Sequence, residues 1–258
     1  MDASRTQAKI KIFDSHMHII DPRFPLVQNQ GYIPDFFGVK DYRESTASVE
    51  VLGGVVVAGS FQGFDQSYLV DAIFNLGPNF VGVAQVPPDI DEKELLFLNE
   101  RGVRAIRFNL FRTGTESISR LEEIANRAWD LFGWHSELYV DPKDLRSLKP
   151  LIMRLPKVSI DHLGMAEEAL DSVLELVAAG AKVKATGFGR VDLDLARTLK
   201  KIHSVDPNAL MAGTDLPSTR AKRRFSIDDL HLIQDTLQEE ADLVFYKNAL
   251  SFYRVGNS

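Results

Sequence analysis

The sequence predicts a (β/α)8 TIM barrel, a single α/β domain over residues 1–258 with an extra helix at its C-terminus. Three observations predict it. Eight short apolar runs alternate with amphipathic runs from end to end. The length of 258 residues is about that of one such barrel, with little chain left over. And the first run leads into His16-Met17-His18, where an open doubly wound sheet would carry a glycine-rich turn.

The eight runs are Lys11–Phe13, Gly54–Ala58, Phe80–Val86, Val103–Phe108, Glu137–Val140, Lys157–Ile160, Lys182–Ala185 and Leu210–Ala212. They are apolar rather than alternating, as strands covered on both faces are. Helical periodicity fills the gaps over Asp65–Leu76, Asp91–Glu100, Ser119–Phe132, Lys143–Leu155, Met165–Ala179, Leu193–Ser204 and Ser226–Glu239. Tyr68, Leu69, Ala72, Ile73 and Leu76 mark one face of the first, and Ser119 with Glu122 has capping-box spacing. Val39–Val51 is the weakest helical pattern. Ala241–Val255 reads as the C-terminal helix, and Gln28–Phe37 as a loop over the first strand.

Composition narrows the function classes. There is no Cys, which removes disulfides, iron–sulfur clusters, thiolate zinc sites and Cys nucleophiles together. A net charge of −6 argues against nucleic acid as the main partner. Met1–Lys11 lacks the apolar core of a signal peptide, and the apolar stretch around Val51–Gly59 is too short to span a bilayer. The expectation is a soluble cytoplasmic protein with no membrane partner, and nothing in it speaks against a homo-oligomer.

In a barrel enzyme the chemistry sits at the C-terminal ends of the strands. His16 and His18 are two apart at the first strand end and so face one side, which suits one metal or one carbonyl. The sixth run ends in Asp161-His162-Leu163-Gly164, the eighth in Gly213-Thr214-Asp215-Leu216-Pro217. Each piece alone fits an ordinary hydrogen-bonded histidine or a loop-stabilising carboxylate. Three histidines and one aspartate on the same barrel face fit one shared site better than four coincidences. His135 falls at the bottom of the barrel, and His203 and His231 fall on helices, so all three read as structural or solvated.

Arginines crowd the same face. Arg107 ends the fourth run, where an unpaired charge is costly; either a carboxylate such as Asp141 pairs with it or it reads a substrate carboxylate bidentately. Arg112, Arg190 and Arg220 follow runs four, seven and eight, and Arg220–Arg224 is the densest basic stretch, a pattern most often found in solvated loops. Tyr32 in the Gly31–Pro34 loop, Ser60 and Gln62 after the second run, and Tyr139 at the end of the fifth complete the expected substrate contacts. So many cations point to a small anionic substrate.

His16-x-His18, Asp161-His162-Leu163-Gly164 and Gly213-Thr214-Asp215-x-Pro217 together resemble the amidohydrolase superfamily, and more closely its amidohydrolase-2 branch. Gly102–Asn109, Lys184–Gly187 and Asn248-Ala249 fit it too, in order along the chain. Within that branch the sequence is most similar to the lactonase group that opens pyrone-dicarboxylate and sugar lactones. The resemblance implies hydrolysis of a cyclic ester of a small carboxylated compound, with Asp215 as general base and His16, His18 and His162 binding the carbonyl or a metal. It also implies either one divalent metal on His16, His18, His162 and Asp215, zinc first, or a metal-free site. Two departures count against a binuclear centre: no His ends the fifth run, and Arg107 stands where a bridging ligand would. A third concerns substrate, since Met165 stands where the dicarboxylate lactonases carry an Arg. Other classes compete. A metal-dependent decarboxylase of the same branch wants the missing histidine. A metal-dependent phosphoesterase or nuclease barrel wants further ligands where Arg107 and Tyr139 stand. A non-catalytic binder has no use for Asp215 beside the histidines.

Overall fold

The computed structural model describes residues 9–111 and 118–256. Eight parallel strands follow one another around the sheet in sequence order: β1 (Lys11–Met17), β2 (Glu50–Val57), β3 (Phe80–Ala84), β4 (Val103–Asn109), β5 (His135–Tyr139), β6 (Val158–Ile160), β7 (Lys182–Ala185) and β8 (Leu210–Ala212). Two hydrogen bonds join the segment after β8 to the end of β1: Asp215 N to His16 O at 2.7 Å and His18 N to Leu216 O at 2.8 Å. Asp14 reinforces this seam, accepting from Thr214 N at 2.8 Å, Thr214 Oγ1 at 2.7 Å and Tyr42 Oη at 3.0 Å. The predicted (β/α)8 barrel is the observed fold.

The helices are α1 (Val39–Ser45), α2 (Ser67–Leu76), α3 (Glu92–Glu100), α4 (Ile118–Phe132), α5 (Pro142–Ile152), α6 (Leu170–Ala178), α7 (Leu195–Val205), α8 (Ile227–Leu237) and α9 (Asn248–Tyr253). Side-chain oxygens of the N-cap residues accept from orphan N–H groups at the starts of α3 (Asp91), α5 (Asp141), α7 (Asp194) and α8 (Ser226). The side chain of Ser119 lies outside the described residues. The expected helix over Val39–Val51 is shorter, because Glu50 and Val51 already pair with Lys11 and Ile12 as the start of β2. The C-terminal helix opens with a π-helical turn, Leu243–Lys247, before α9. No helix among the described residues is long and apolar enough to cross a membrane.

Two apolar layers lie between strands and helices; a third fills the lower barrel, where Phe13, Val55, Val57, Val83, Ala105 and Met211 meet Phe252 and Tyr253 of α9. Above it the interior turns polar. Arg107, Glu137, Tyr139, Asp161, Lys184 and Thr186 are all buried. Glu137 and Tyr139, and likewise Lys184 and Thr186, sit two apart, the period that sends alternate side chains to one face. β1 enters this face through a register shift between Asp14 and Met17. Phe13 therefore points into the barrel below, and His16 and His18 above, although their numbers differ in parity.

Candidate active site

His16, His18, His162 and Asp215 meet at the C-terminal mouth of the barrel, as expected. Asp215 Oδ1 lies 3.8 Å from His16 Nε2, 3.9 Å from His18 Nε2 and 3.9 Å from His162 Nε2. All four side chains are buried. Among the described residues neither His16 Nε2 nor Asp215 Oδ1 has a hydrogen-bond partner. His162 and Asp215 both hold left-handed backbone, with φ of 52° and 58°. That conformation costs a non-glycine residue roughly 1–2 kcal/mol, the kind of local strain that gathers at functional sites. Gly213 lets β8 pass close: a Cβ there would stand 2.8 Å from His16 N.

The hydrogen bonds on the far ring nitrogens define what each imidazole offers. His18 Nδ1 lies 2.7 Å from Val57 O; a carbonyl only accepts, so Nδ1 carries the proton and Nε2 faces Asp215 with a lone pair. His162 Nδ1 lies 2.8 Å from Thr186 Oγ1, which permits either tautomer. Lys184 Nζ lies 3.3 Å from His16 Nδ1. Burial, reinforced by nearby Arg107 and Arg190, lowers the pKa of His18 to about 3. Burial and adjacent cations likewise hold His16 and His162 well below the usual histidine range. The three rings are neutral at pH 7.

Asp215 runs the other way. Burial lifts its pKa to about 6 against the pull of Arg190 and Arg107. Arg190 grips its other oxygen, with Nε at 2.8 Å and Nη2 at 2.5 Å from Oδ2. The structure thus leaves Oδ1 facing the histidines and fixes Oδ2 with a cation.

The remaining residues divide. Arg107 lines the pocket, but its partner is Asp161 and not Asp141: Nη2 donates to Asp161 Oδ2 at 3.0 Å and Nη1 to Ala58 O at 2.8 Å. Asp141 instead caps α5. Tyr32, Ser60, Tyr139, Arg190 and Arg220 all line the same pocket with His18, His162 and Asp215. Arg220 lies over the Tyr32 ring at 4.5 Å and bonds Asn29 O, holding the 28–37 loop across the mouth. Gln62 does not face substrate space; it bridges Gly59 N and Ile19 O. Arg112 lies outside the described residues. His135 and His203 bond Glu137 and Glu240, and His231 is half exposed, in line with structural or solvated roles.

Sequence reasoning passed over Asp161, Glu137 and Lys184, which form a buried charged cluster beneath His16. Lys184 Nζ pairs with Glu137 Oε2 and lies 3.8 Å from Asp161 Oδ1. The signal was present for two of them: Glu137 lies two residues below Tyr139 and Asp161 next to His162, while Lys184 is a charge in an otherwise apolar run. Two sets of buried side chains here have the composition and spacing to hold a metal ion: His16, His18 and Asp215, and His16, Asp161 and His162.

A family model for the amidohydrolases matches residues 13–255. Among curated proteins, a 2-pyrone-4,6-dicarboxylate hydrolase of Comamonas testosteroni is 32% identical over 251 residues, covering 84% of this chain and 80% of that protein. A 4-sulfomuconolactone hydrolase of Rhizobium radiobacter is 26% identical over 228 residues, covering 80% and 75%. Among solved structures, one from Acinetobacter baumannii, assigned as a 2-pyrone-4,6-dicarboxylic acid hydrolase and holding citric acid, superposes with a TM-score of 0.82 at 21% identity over 94% of this chain and 99% of that one. An apo structure from Agrobacterium tumefaciens gives 0.83 at 19% identity, over 97% and 98%. At these identities the two structures attest the fold.

Proposed function

The chain belongs to the amidohydrolase family, and from that premise we propose that it opens the lactone ring of a small anionic compound by attack of water, with Asp215 as general base. One observation carries the reading. A buried carboxylate oxygen without a hydrogen-bond partner among the described residues faces three neutral imidazoles at the barrel mouth, in a chain whose relatives are named as lactone hydrolases.

The reaction needs three functions, and the site has a group for each. The lactone carbonyl oxygen lies against His16 Nε2, whose N–H stabilises the oxyanion as the tetrahedral centre forms. His18 Nε2 and Asp215 Oδ1 both accept, so together they orient the attacking water. Asp215 takes a proton from it as its oxygen bonds to the carbonyl carbon. Collapse of the intermediate breaks the bond to the ring oxygen, and Asp215 returns the proton to that oxygen. The product is an open-chain acid bearing a hydroxyl. Arg190 draws the substrate's own carboxylate into the pocket, with Tyr32, Ser60, Tyr139 and Arg220 around it; Arg107 stiffens the wall through Asp161. In this reading the partner is a small anion, and the absence of Cys suits the cytoplasm.

A zinc ion held by His16, His18, His162 and Asp215 would supply a Lewis acid for the carbonyl and an acidified water. The hydrogen bonds in place do not fit it. Both metal-type groups include His16. In this reading the Lys184 ammonium, 3.3 Å from its Nδ1, keeps the proton, not a lone pair, on Nε2. Arg107, Arg190 and Lys184 already bring three cations to the carboxylates that an ion would need. The mechanism is therefore built on the side chains alone.

The test is hydrolysis of a lactone panel that includes 2-pyrone-4,6-dicarboxylate, 4-sulfomuconolactone and uncharged sugar lactones, followed by loss of ring absorbance or by acid release, with and without chelator. Turnover of a carboxylated or sulfonated lactone that survives chelation is expected. Turnover of no lactone, or turnover only with added zinc, would overturn the reading.

A further inference from the structure

Lys184 is fully buried on the inner face of β7, beneath the residues that touch the pocket. It does not line the pocket, and a buried charge needs a reason. Its surroundings form a column through the barrel. At the bottom, Tyr253 of α9 donates its hydroxyl to Glu137 Oε1, and His135 Nε2 stands 3.2 Å from the same oxygen. Glu137 Oε2 accepts from Lys184 Nζ. Lys184 Nζ then stands 3.3 Å from His16 Nδ1. His16 Nε2, at the other end of the ring, faces Asp215 with no hydrogen-bond partner among the described residues.

We propose that Lys184 is a positioning residue: anchored by Glu137 and, through it, by Tyr253 of the C-terminal helix, its ammonium donates to His16 Nδ1 and so places that ring's proton on Nε2, aimed at the reacting carbonyl. The argument is one of donor and acceptor count. An ammonium has donors only, so an N–H at Nδ1 would oppose it head-on across 3.3 Å. The competing acceptor is Asp161 Oδ1, 3.5 Å from Nδ1. That carboxylate faces Lys184 as well and is held through its other oxygen by Arg107. His18 is fixed in the opposite tautomer by Val57 O, so the two histidines of one His-x-His pair have complementary duties. His16 donates a hydrogen bond to the carbonyl oxygen, and His18 accepts one from the attacking water, whose proton goes to Asp215. The C-terminal helix, far down the barrel, becomes part of the apparatus that orients the site.

This inference deepens the lactonase reading and rests on it for its kinetic arm, but its spectroscopic arm stands alone. Histidine-selective 15N labelling of the full chain, with long-range 1H–15N correlation at pH 8 and assignment by His16→Gln and His18→Gln, reads the two tautomers directly. The expected result is protonated Nε2 in His16 and protonated Nδ1 in His18. In Lys184→Met combined with Glu137→Gln, which removes both buried charges together, His16 should lose its fixed tautomer. On a lactone that the parent protein hydrolyses, kcat should fall about 100-fold, the scale of one lost oxyanion donor, with KM nearly unchanged. Tyr253→Phe should give a smaller fall of the same kind. A parent spectrum with the His16 proton on Nδ1 overturns the proposal, whether or not any lactone is turned over. So does a folded double variant that keeps the Nε2–H signal and full kcat. Should the double variant not fold, the parent spectrum decides by itself.

Discussion

Replacing Arg190 with Gln separates two duties that the structure gives one side chain. Its guanidinium holds Asp215 Oδ2 through two short bonds and also donates to Thr219 O at 3.1 Å. It is the largest opposing influence on Asp215, whose pKa burial otherwise drives upward and which settles at about 6. An opposite charge at this range depresses a carboxyl by about 1–3 pKa units, so its loss moves Asp215 to roughly 7–9. A general base must be ionised, so kcat/KM rises with pH through the free-enzyme pKa. At pH 7 the ionised fraction is about 90% for a pKa near 6, and falls to about 1–50% in the variant. The carboxylate-reading duty appears separately, as a raised KM for anionic lactones that persists on the alkaline plateau. The assay is kcat/KM from pH 5 to 9.5 on an anionic and a neutral lactone, with guanidinium added back in a parallel series. An acid limb that stays near pH 6 on both substrates would refute the link between Arg190 and the base.

Further predictions concern stability and backbone. His18 and His135, buried neutral at about 3 and about 4, bind protons less readily folded than unfolded. Stability must therefore fall as pH drops below about 6.5, by about 2 kcal/mol for each at pH 5. Asp215, near 6, takes up a proton when folded and returns about 1.4 kcal/mol over the same interval. The net loss from pH 7 to 5 is about 2.5 kcal/mol from these three, and His16 and His162 add to it; urea midpoints that hold steady or rise would contradict this. Gly187 has φ +64° and a Cβ there would meet His162 Nδ1 at 2.7 Å. Gly187→Ala should cost at least 1 kcal/mol of stability in urea and, by displacing His162, more than tenfold in kcat. A variant with parental kcat would remove His162 from the required geometry.

The barrel was legible because strand and helix periods alternate without interruption, and the four mouth residues because each ends an apolar run. The pairings among charges were not. Arg107 could be placed at a strand end, but whether Asp141 or Asp161 met it depended on which strand faced it across the interior, a matter of barrel closure rather than local pattern. The phase of His16 and His18 was hidden by the register shift in β1, which alternation alone does not report. Lys184 and Glu137 escaped because a charge in an apolar strand has no meaning until its partner's place is known; His18's tautomer depends likewise on Val57 O, 39 residues away.

The most direct measurement is the steady-state rate of Asp215→Asn on whichever anionic lactone the parent protein opens, at pH 8 and after chelator treatment. The amide fits the space and keeps one oxygen for Arg190, but cannot take a proton from water. A fall in kcat of about 100- to 10,000-fold with substrate still bound is the predicted result. An Asp215→Asn protein that hydrolyses the lactone at the parental rate would contradict the assignment of the base and the mechanism built on it.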